Sequence, residues 1–223
     1  KEYKPPIITR IYAGDGRLMA EFAQERRVFV PIEEIPDLVK HAFIAAEDKN
    51  FYQHQGFDPW AIFRAALYNL QGKSLSGAST ITQQVAKNLL LTKDRTYKRK
   101  IRELILSYRM EQAMSKNRLL EIYLNEIFLG ARAYGVAAAA QQYFNKALNE
   151  LSISEVAYLA ALPKAPNNYH PVRQHDRAVA RRNWVIERMR DDGYITASQA
   201  ELAKAVPLQT VPRDETRSIS APY

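Results

Sequence analysis

The chain reads as a mainly α domain that opens on a small β element. Two patterns point there. Apolar residues recur at three- and four-residue spacing almost without a break from Pro36 to Ala205, the period of helices with one buried face. Before them, two β-prone runs flank Ala13-Gly14-Asp15-Gly16, a hairpin turn signal. The 223 residues suffice for one large domain or two small lobes with a real core.

In chain order, Ile7–Tyr12 and Leu18–Phe22 are the expected hairpin strands, and Val28-Phe29-Val30 adds a third short strand before Pro31. Helices are expected over roughly 36–47, 58–71, 80–91, 94–113, 116–126, 133–142, 152–162, 174–191 and 196–204. Pro36 suits a first helical turn, and Leu162-Pro163-Lys164-Ala165-Pro166 stops its helix hard. The tail from Pro207 to Tyr223 holds Pro207, Pro212 and Pro222 among polar residues and reads as a linker. The expected organisation is a β segment over 1–30, a main domain over 31–206 and a linker over 207–223.

Composition narrows the chemistry. With no cysteine, a disulfide, a thiolate nucleophile and a cysteine–zinc site are all excluded. The net charge of +8 favours anionic partners such as nucleic acid, anionic lipid or a pyrophosphate. No apolar run approaches the ~20 residues of a membrane span. The first residue is Lys1 and not Met, so the chain is expected to be a piece of a longer one.

The most informative stretch is Glu47-Asp48-Lys49-Asn50-Phe51-Tyr52-Gln53-His54-Gln55-Gly56-Phe57-Asp58. Ile35, Leu38, Val39, Ala42, Phe43 and Ala46 build an apolar helix that ends in Glu47, where apolar surroundings and the negative end of the helix dipole both disfavour ionisation. A carboxyl tuned toward neutral pH suits a general acid or base. A second block, Gly77 to Asn88, enters a helix. Thr80 with Gln83 fits a capping box, and Thr80, Gln83, Gln84 and Lys87 share one face. It reads either as an ordinary capped helix or as a phosphate cradle of open amides with Lys87 behind them. A third block, Lys93 to Glu103, is basic at six of eleven positions. On a helix, Arg95, Arg99 and Glu103 form one stripe, and a carboxylate beside guanidinium groups is expected to stay ionised. Glu47 and Glu103 are thus expected to be pushed in opposite directions, the pattern that separates acid and base roles. A fourth block, Lys116 to Asn125, carries a core stripe and reads as structural.

Taken in order, Glu47-Asp48-x-x-Phe51-x-x-His54-x-Gly56, Gly77-x-Ser79-Thr80-Ile81-Thr82-Gln83-Gln84, Arg99-Lys100-x-x-Glu103 and Lys116 through Leu120-Glu121-x-Tyr123-Leu124-Asn125 resemble the motifs of the peptidoglycan glycosyltransferase domain. That domain occurs in bifunctional (class A) penicillin-binding proteins and in monofunctional transglycosylases. The match spans about residues 30–205, with Ala78 where the family commonly has a second glycine. Arg217–Tyr223 looks like the linker toward a transpeptidase domain, which favours the class A type.

The resemblance implies a lysozyme-like helical domain with a smaller, membrane-facing lobe, for which the aromatic, amphipathic segment 57–70 is suited. It implies polymerisation of lipid II onto a lipid-linked glycan chain at the outer (periplasmic) face of the bacterial cytoplasmic membrane, with inversion to a β-1,4 bond. A transpeptidase domain and an N-terminal membrane anchor are expected in the full-length protein, and nucleic acid is not an expected partner. Under that implication Glu47 is the general base. Lys87, Arg95 and Arg99 stabilise the departing pyrophosphate, directly or with a divalent cation (Mg or Mn) that is not an obligatory cofactor. Glu103 orients those cations or a metal and shapes the donor site. Ser79, Thr80, Gln83 and Gln84 contact sugar or phosphate. Asp48 is placed with the substrate-binding group, although it and His54 also suit bracing the turn around Glu47. No protein metal ligands are assigned. The alternative is a lysozyme-type glycoside hydrolase with Glu47 as general acid, against which the basic cluster argues. A nucleic-acid-binding module on residues 93–102 is the other rival, and it has few of the interleaved aromatics that single-strand binding uses.

Overall fold

The computed structural model describes residues 9–12, 18–22, 26–60, 63, 79–90 and 97–211. Strands β1 (Thr9–Tyr12) and β2 (Leu18–Phe22) pair antiparallel, with Thr9 opposite Phe22 and an irregularity between Ile11 and Tyr12. The turn expected between them lies outside the described residues. The third strand is β3 (Arg26–Arg27), and not residues 28–30. It pairs in parallel with β4 (Ala133–Tyr134), a strand where a helix start was expected. The peptide of Val30 is instead held by a side chain: its N–H donates to Asn125 Oδ1 at 2.8 Å, and Asn125 Nδ2 donates to its carbonyl at 2.9 Å. An amide that mimics a strand partner satisfies the same backbone groups without a ladder.

Eight helices follow among the described residues: α1 (Asp37–Glu47), α2 (Ile81–Leu90), α3 (Tyr97–Ala113), α4 (Lys116–Glu126), α5 (Val136–Phe144), α6 (Ile153–Ala161), α7 (His175–Asp191) and α8 (Ala197–Ala205). Residues 59, 60 and 63 are also helical, whereas residues 61, 62 and 64–70 of the segment expected to face a membrane lie outside the described residues. Ser152 and Thr196 cap α6 and α8 through capping boxes with Glu155 and Gln199. Helix α5 begins three residues later than its periodicity suggests because Gly135 sits at φ +81°, with Asn125 O only 2.5 Å from where a Cβ would stand. Only glycine makes that close approach in that backbone region.

Helix α6 is buried almost all round, as its run of Val156, Ala157, Leu159, Ala160 and Ala161 dictates, and it packs against α1 and α7. The side chains of Phe43, Ile44, Leu119, Tyr123 and Val185 complete one continuous core. Arg182, almost wholly buried, is kept there by hydrogen bonds to Ser154 Oγ at 3.0 Å, Val206 O at 2.7 Å and Lys204 O at 3.1 Å. It ties α8 and the chain end to α7, since a buried guanidinium is tolerated only with its donors used. Arg27 pairs with Glu126, Leu208 is buried, and Val211 N–H donates to Tyr143 O at 2.9 Å. The rest of the expected linker, from residue 212, lies outside the described residues.

Candidate active site

Helix α1 delivers Glu47 as its last residue, and Asp48 follows at φ −159° as the chain turns away. Glu47 is partly exposed along its length, but its carboxyl is enclosed by protein. Desolvation is therefore the leading influence and raises its pKa above the ordinary carboxylate value. Gln84 Nε2 donates to Glu47 Oε2 at 2.8 Å and opposes that rise. Two cations, Arg181 and Lys164, lie within electrostatic reach and also oppose it, while Asp48 adds to it. Burial lowers the pKa of Arg181 and of Lys164, and the charge of Glu47 pulls both back up. From the other side, the Tyr123 phenol is pushed well up by burial, then by Glu47 and Asp48, and its hydroxyl has no hydrogen-bond partner.

The turn after Glu47 is built around Asp48. Its carboxylate receives His54 Nε2 at 2.9 Å and the backbone N–H of Ile81 at 2.9 Å. One buried carboxylate thus fixes the turn and the first residue of α2 together. On the far side of the imidazole, Nδ1 faces Glu111 at 4.0 Å, and Glu111 is held by the Thr82 hydroxyl at 2.6 Å and Lys116 Nζ at 2.7 Å. Gly56, at φ +86°, closes the turn with Ser107 and Tyr108 backbone atoms 2.7 Å from a built Cβ. Thr80 Oγ1 reaches back to Gly56 O at 2.7 Å. Asp48 and His54 therefore brace the turn, and the oxygens of Asp48 are spent inside the protein rather than presented to a ligand.

The same capping occupies amides that the phosphate-cradle reading would leave open. Thr80 N–H donates to Gln83 Oε1 at 3.3 Å, Gln83 N–H to Thr80 Oγ1 at 3.2 Å, and Ile81 N–H to Asp48. Those amides already have acceptors, so the helix end is not open to an anion there. Thr80 and Gln83 point inward and are buried, with the turn after Glu47 lying over the start of the helix through Thr80 Oγ1 to Gly56 O and Ile81 N–H to Asp48. Of the four residues expected to share a face, only Gln84 meets Glu47 and only Lys87 is exposed to solvent.

Glu103 lies on α3 and is buried. It pairs with Arg99 one turn earlier and accepts from Lys100 Nζ at 3.0 Å. Lys100 Nζ also donates to Ser79 Oγ at 2.9 Å, which ties the entry of α2 to α3. Arg95 lies outside the described residues. A groove of about 410 Å³ lined by Asn50, His54, Phe57, Trp60 and Tyr108 runs beside the turn, away from the Glu47 carboxyl.

Three cations near these carboxylates have no site role in the sequence reading, although Lys100 stands in the Arg99-Lys100-x-x-Glu103 motif. Lys100 was legible at i, i+3 from Glu103 but was passed over for the i, i+4 stripe. Lys164 had one signal, a cation fixed between two prolines. Arg181 had only its place in the Arg181-Arg182 pair, one of which the core consumes.

Comparison with known proteins fits this arrangement. The transglycosylase family model matches residues 15–190, and the chain belongs to that family; the enzyme class is peptidoglycan glycosyltransferase. The chain is 52% identical to penicillin-binding protein 1A of Rickettsia bellii, over 99% of its own length and 28% of that protein. It is 47% identical to penicillin-binding protein 1A of Escherichia coli, over 100% of its length and 26% of that protein. The crystal structure of penicillin-binding protein 1A from Haemophilus influenzae aligns over 96% of this chain and 22% of that one, with TM-score 0.59 and 30% identity. The lysozyme-like, mainly helical fold is shared, and the chain spans between 22% and 28% of the length of these relatives.

Proposed function

We propose that this domain polymerises lipid II into β-1,4-linked glycan strands with inversion, Glu47 acting as the general base. The observation that carries the reading is a desolvated carboxyl with a raised pKa, held by Gln84 and facing the cations Arg181 and Lys164. The carboxylate takes the proton of the acceptor's GlcNAc 4-hydroxyl. That oxygen attacks the anomeric carbon of the lipid-linked donor, the bond from carbon to diphosphate oxygen breaks, and polyprenyl diphosphate leaves. A base with a raised pKa is better matched to an alcohol proton near neutral pH than an ordinary carboxylate is.

The leaving diphosphate calls for fixed positive charge. Lys87, Arg95 and Arg99 serve it, with Lys100 added from the geometry, and Glu103 sets the positions of Arg99 and Lys100. Among the named polar contacts, Gln84 supports Glu47, and Ser79 lies with Lys100 at the donor side. Both oxygens of Glu103 face cations, so a divalent metal joining the reaction would be held through the substrate's phosphate oxygens and is optional. Among the described residues no helix is long and apolar enough to cross a membrane. Exposed Trp60 and Phe63 support contact of this lobe with the outer face of the cytoplasmic membrane. The additional length of the relatives supports a transpeptidase domain and an anchor in the full-length protein.

Lipid II incubated with the protein in detergent, with and without a chelator, tests the reading. Glycan strands with release of polyprenyl diphosphate are expected in both. Cleavage of preformed lipid-free glycan without strand synthesis would favour the hydrolase.

A further inference from the structure

Arg181 and Arg182 are neighbours on α7 with opposite fates. Arg182 spends its donors on Ser154, Asn183 and two carbonyls of the chain end. Arg181 has a buried Nε with no hydrogen-bond partner, and its guanidinium lies over the Trp184 ring with Cζ 3.8 Å from the centroid. The i, i+3 spacing places Trp184 one turn along the same face. The ring attracts the cation without taking a single N–H. Trp184 is 42% exposed, so its ring is partly open to solvent where Arg181 lies over it.

We propose that Trp184 is a positioning residue, a platform that holds the Arg181 guanidinium toward Glu47 while leaving its donor edge open to an anionic ligand. A carboxylate or carbonyl partner would fix Arg181 equally well, but it would neutralise the charge or occupy the donors. The groups that face Glu47 are Arg181 from α7, Lys164 from the loop after α6, the Tyr123 phenol from α4, Gln84 from α2 and its own neighbour Asp48. Of these, Trp184 controls only Arg181. Removing the platform lets the flexible arginine leave, so the Glu47 carboxyl loses one of two cations that favour its charged form.

The test is a side-chain carboxyl titration of Glu47 by NMR on protein labelled with 13C-glutamate, the resonance assigned by its loss in Glu47→Gln. Trp184→Ala and Trp184→Leu are expected to move the titration to higher pH, as Arg181→Met does, while Trp184→Phe stays near wild type. Trp184→Leu keeps the apolar bulk, so a shift in both variants, with native thermal melts, separates the ring face from packing. Adding Trp184→Ala to Arg181→Met is expected to give no further shift, whereas adding it to Lys164→Met shifts the titration again. A wild-type titration in Trp184→Ala and Trp184→Leu, or a full further shift in the Arg181 double variant, overturns the proposal. Its catalytic meaning rests on Glu47 as base, but the titration does not: activity retained by Glu47→Gln would sink the base and leave the platform to be judged by the NMR shift.

Discussion

At the scale of single residues, the central asymmetry is between two glutamates, Glu103 buried outright and Glu47 partly exposed with its carboxyl enclosed by protein. Glu47 faces one amide donor and two cations that do not touch it, so burial dominates and its pKa is raised. Glu103 is paired with Arg99 and Lys100. These environments make different predictions for the same substitution. A carboxyl with a raised folded-state pKa is no burden while protonated and costs stability once pH climbs through that pKa. Glu47→Gln should therefore melt no lower than wild type at pH 7–8, and its advantage should vanish below the ordinary carboxylate range, measured as Tm against pH. Glu103→Gln leaves Arg99 and Lys100 without their counter-charge. It should cost about 1–3 kcal/mol in urea unfolding, less than the ~3–5 kcal/mol of a fully buried pair, because Lys100 is half exposed and can rehydrate.

At the scale of elements, the turn that follows α1 takes its shape from a few residues. Asp48 accepts from His54 and from the first peptide of α2, and Gly56 lets the turn approach the backbone of α3. Gly56→Ala puts a Cβ 2.7 Å from Ser107 and Tyr108 backbone atoms at φ +86°. It should destabilise by more than about 2 kcal/mol in chemical denaturation and lower polymerisation with it. The helices were legible because their apolar period is local: α4 spans Lys116–Glu126 as the sequence indicates, and the Thr80–Gln83 capping box is formed. What was not legible is non-local. That β3 pairs with β4, that Asn125 replaces a strand beside Val30, and that Thr80 and Gln83 turn inward all depend on partners tens of residues away. Arg181 and Lys164 escaped for the same reason, since nothing in their own segments marks them as facing Glu47. Glu47 itself was legible because a carboxyl ending an apolar helix already carries the cause of its raised pKa.

At the scale of the whole molecule, three parts of the chain converge on one carboxyl: α1 carries it, α2 donates to it through Gln84, and the stretch from α6 to α7 sets Lys164 and Arg181 around it. Lys49 Nζ pairs with Asp192 at 2.7 Å and links the turn after Glu47 to the end of α7, the helix that carries Arg181. Under the proposed role of Glu47 as base, the rate is expected to fall as pH drops through a pKa raised above the ordinary carboxylate range, because a base works only when ionised. The most direct test of this account is the rate of lipid II polymerisation as a function of pH for wild type and Glu47→Gln, with circular dichroism to verify folding. The account predicts an acid limb in wild type above the ordinary carboxylate range and a loss of about 10²–10⁴-fold in a folded Glu47→Gln. Polymerisation by Glu47→Gln at near wild-type rate, with the same acid limb, would contradict it and assign the proton to another group.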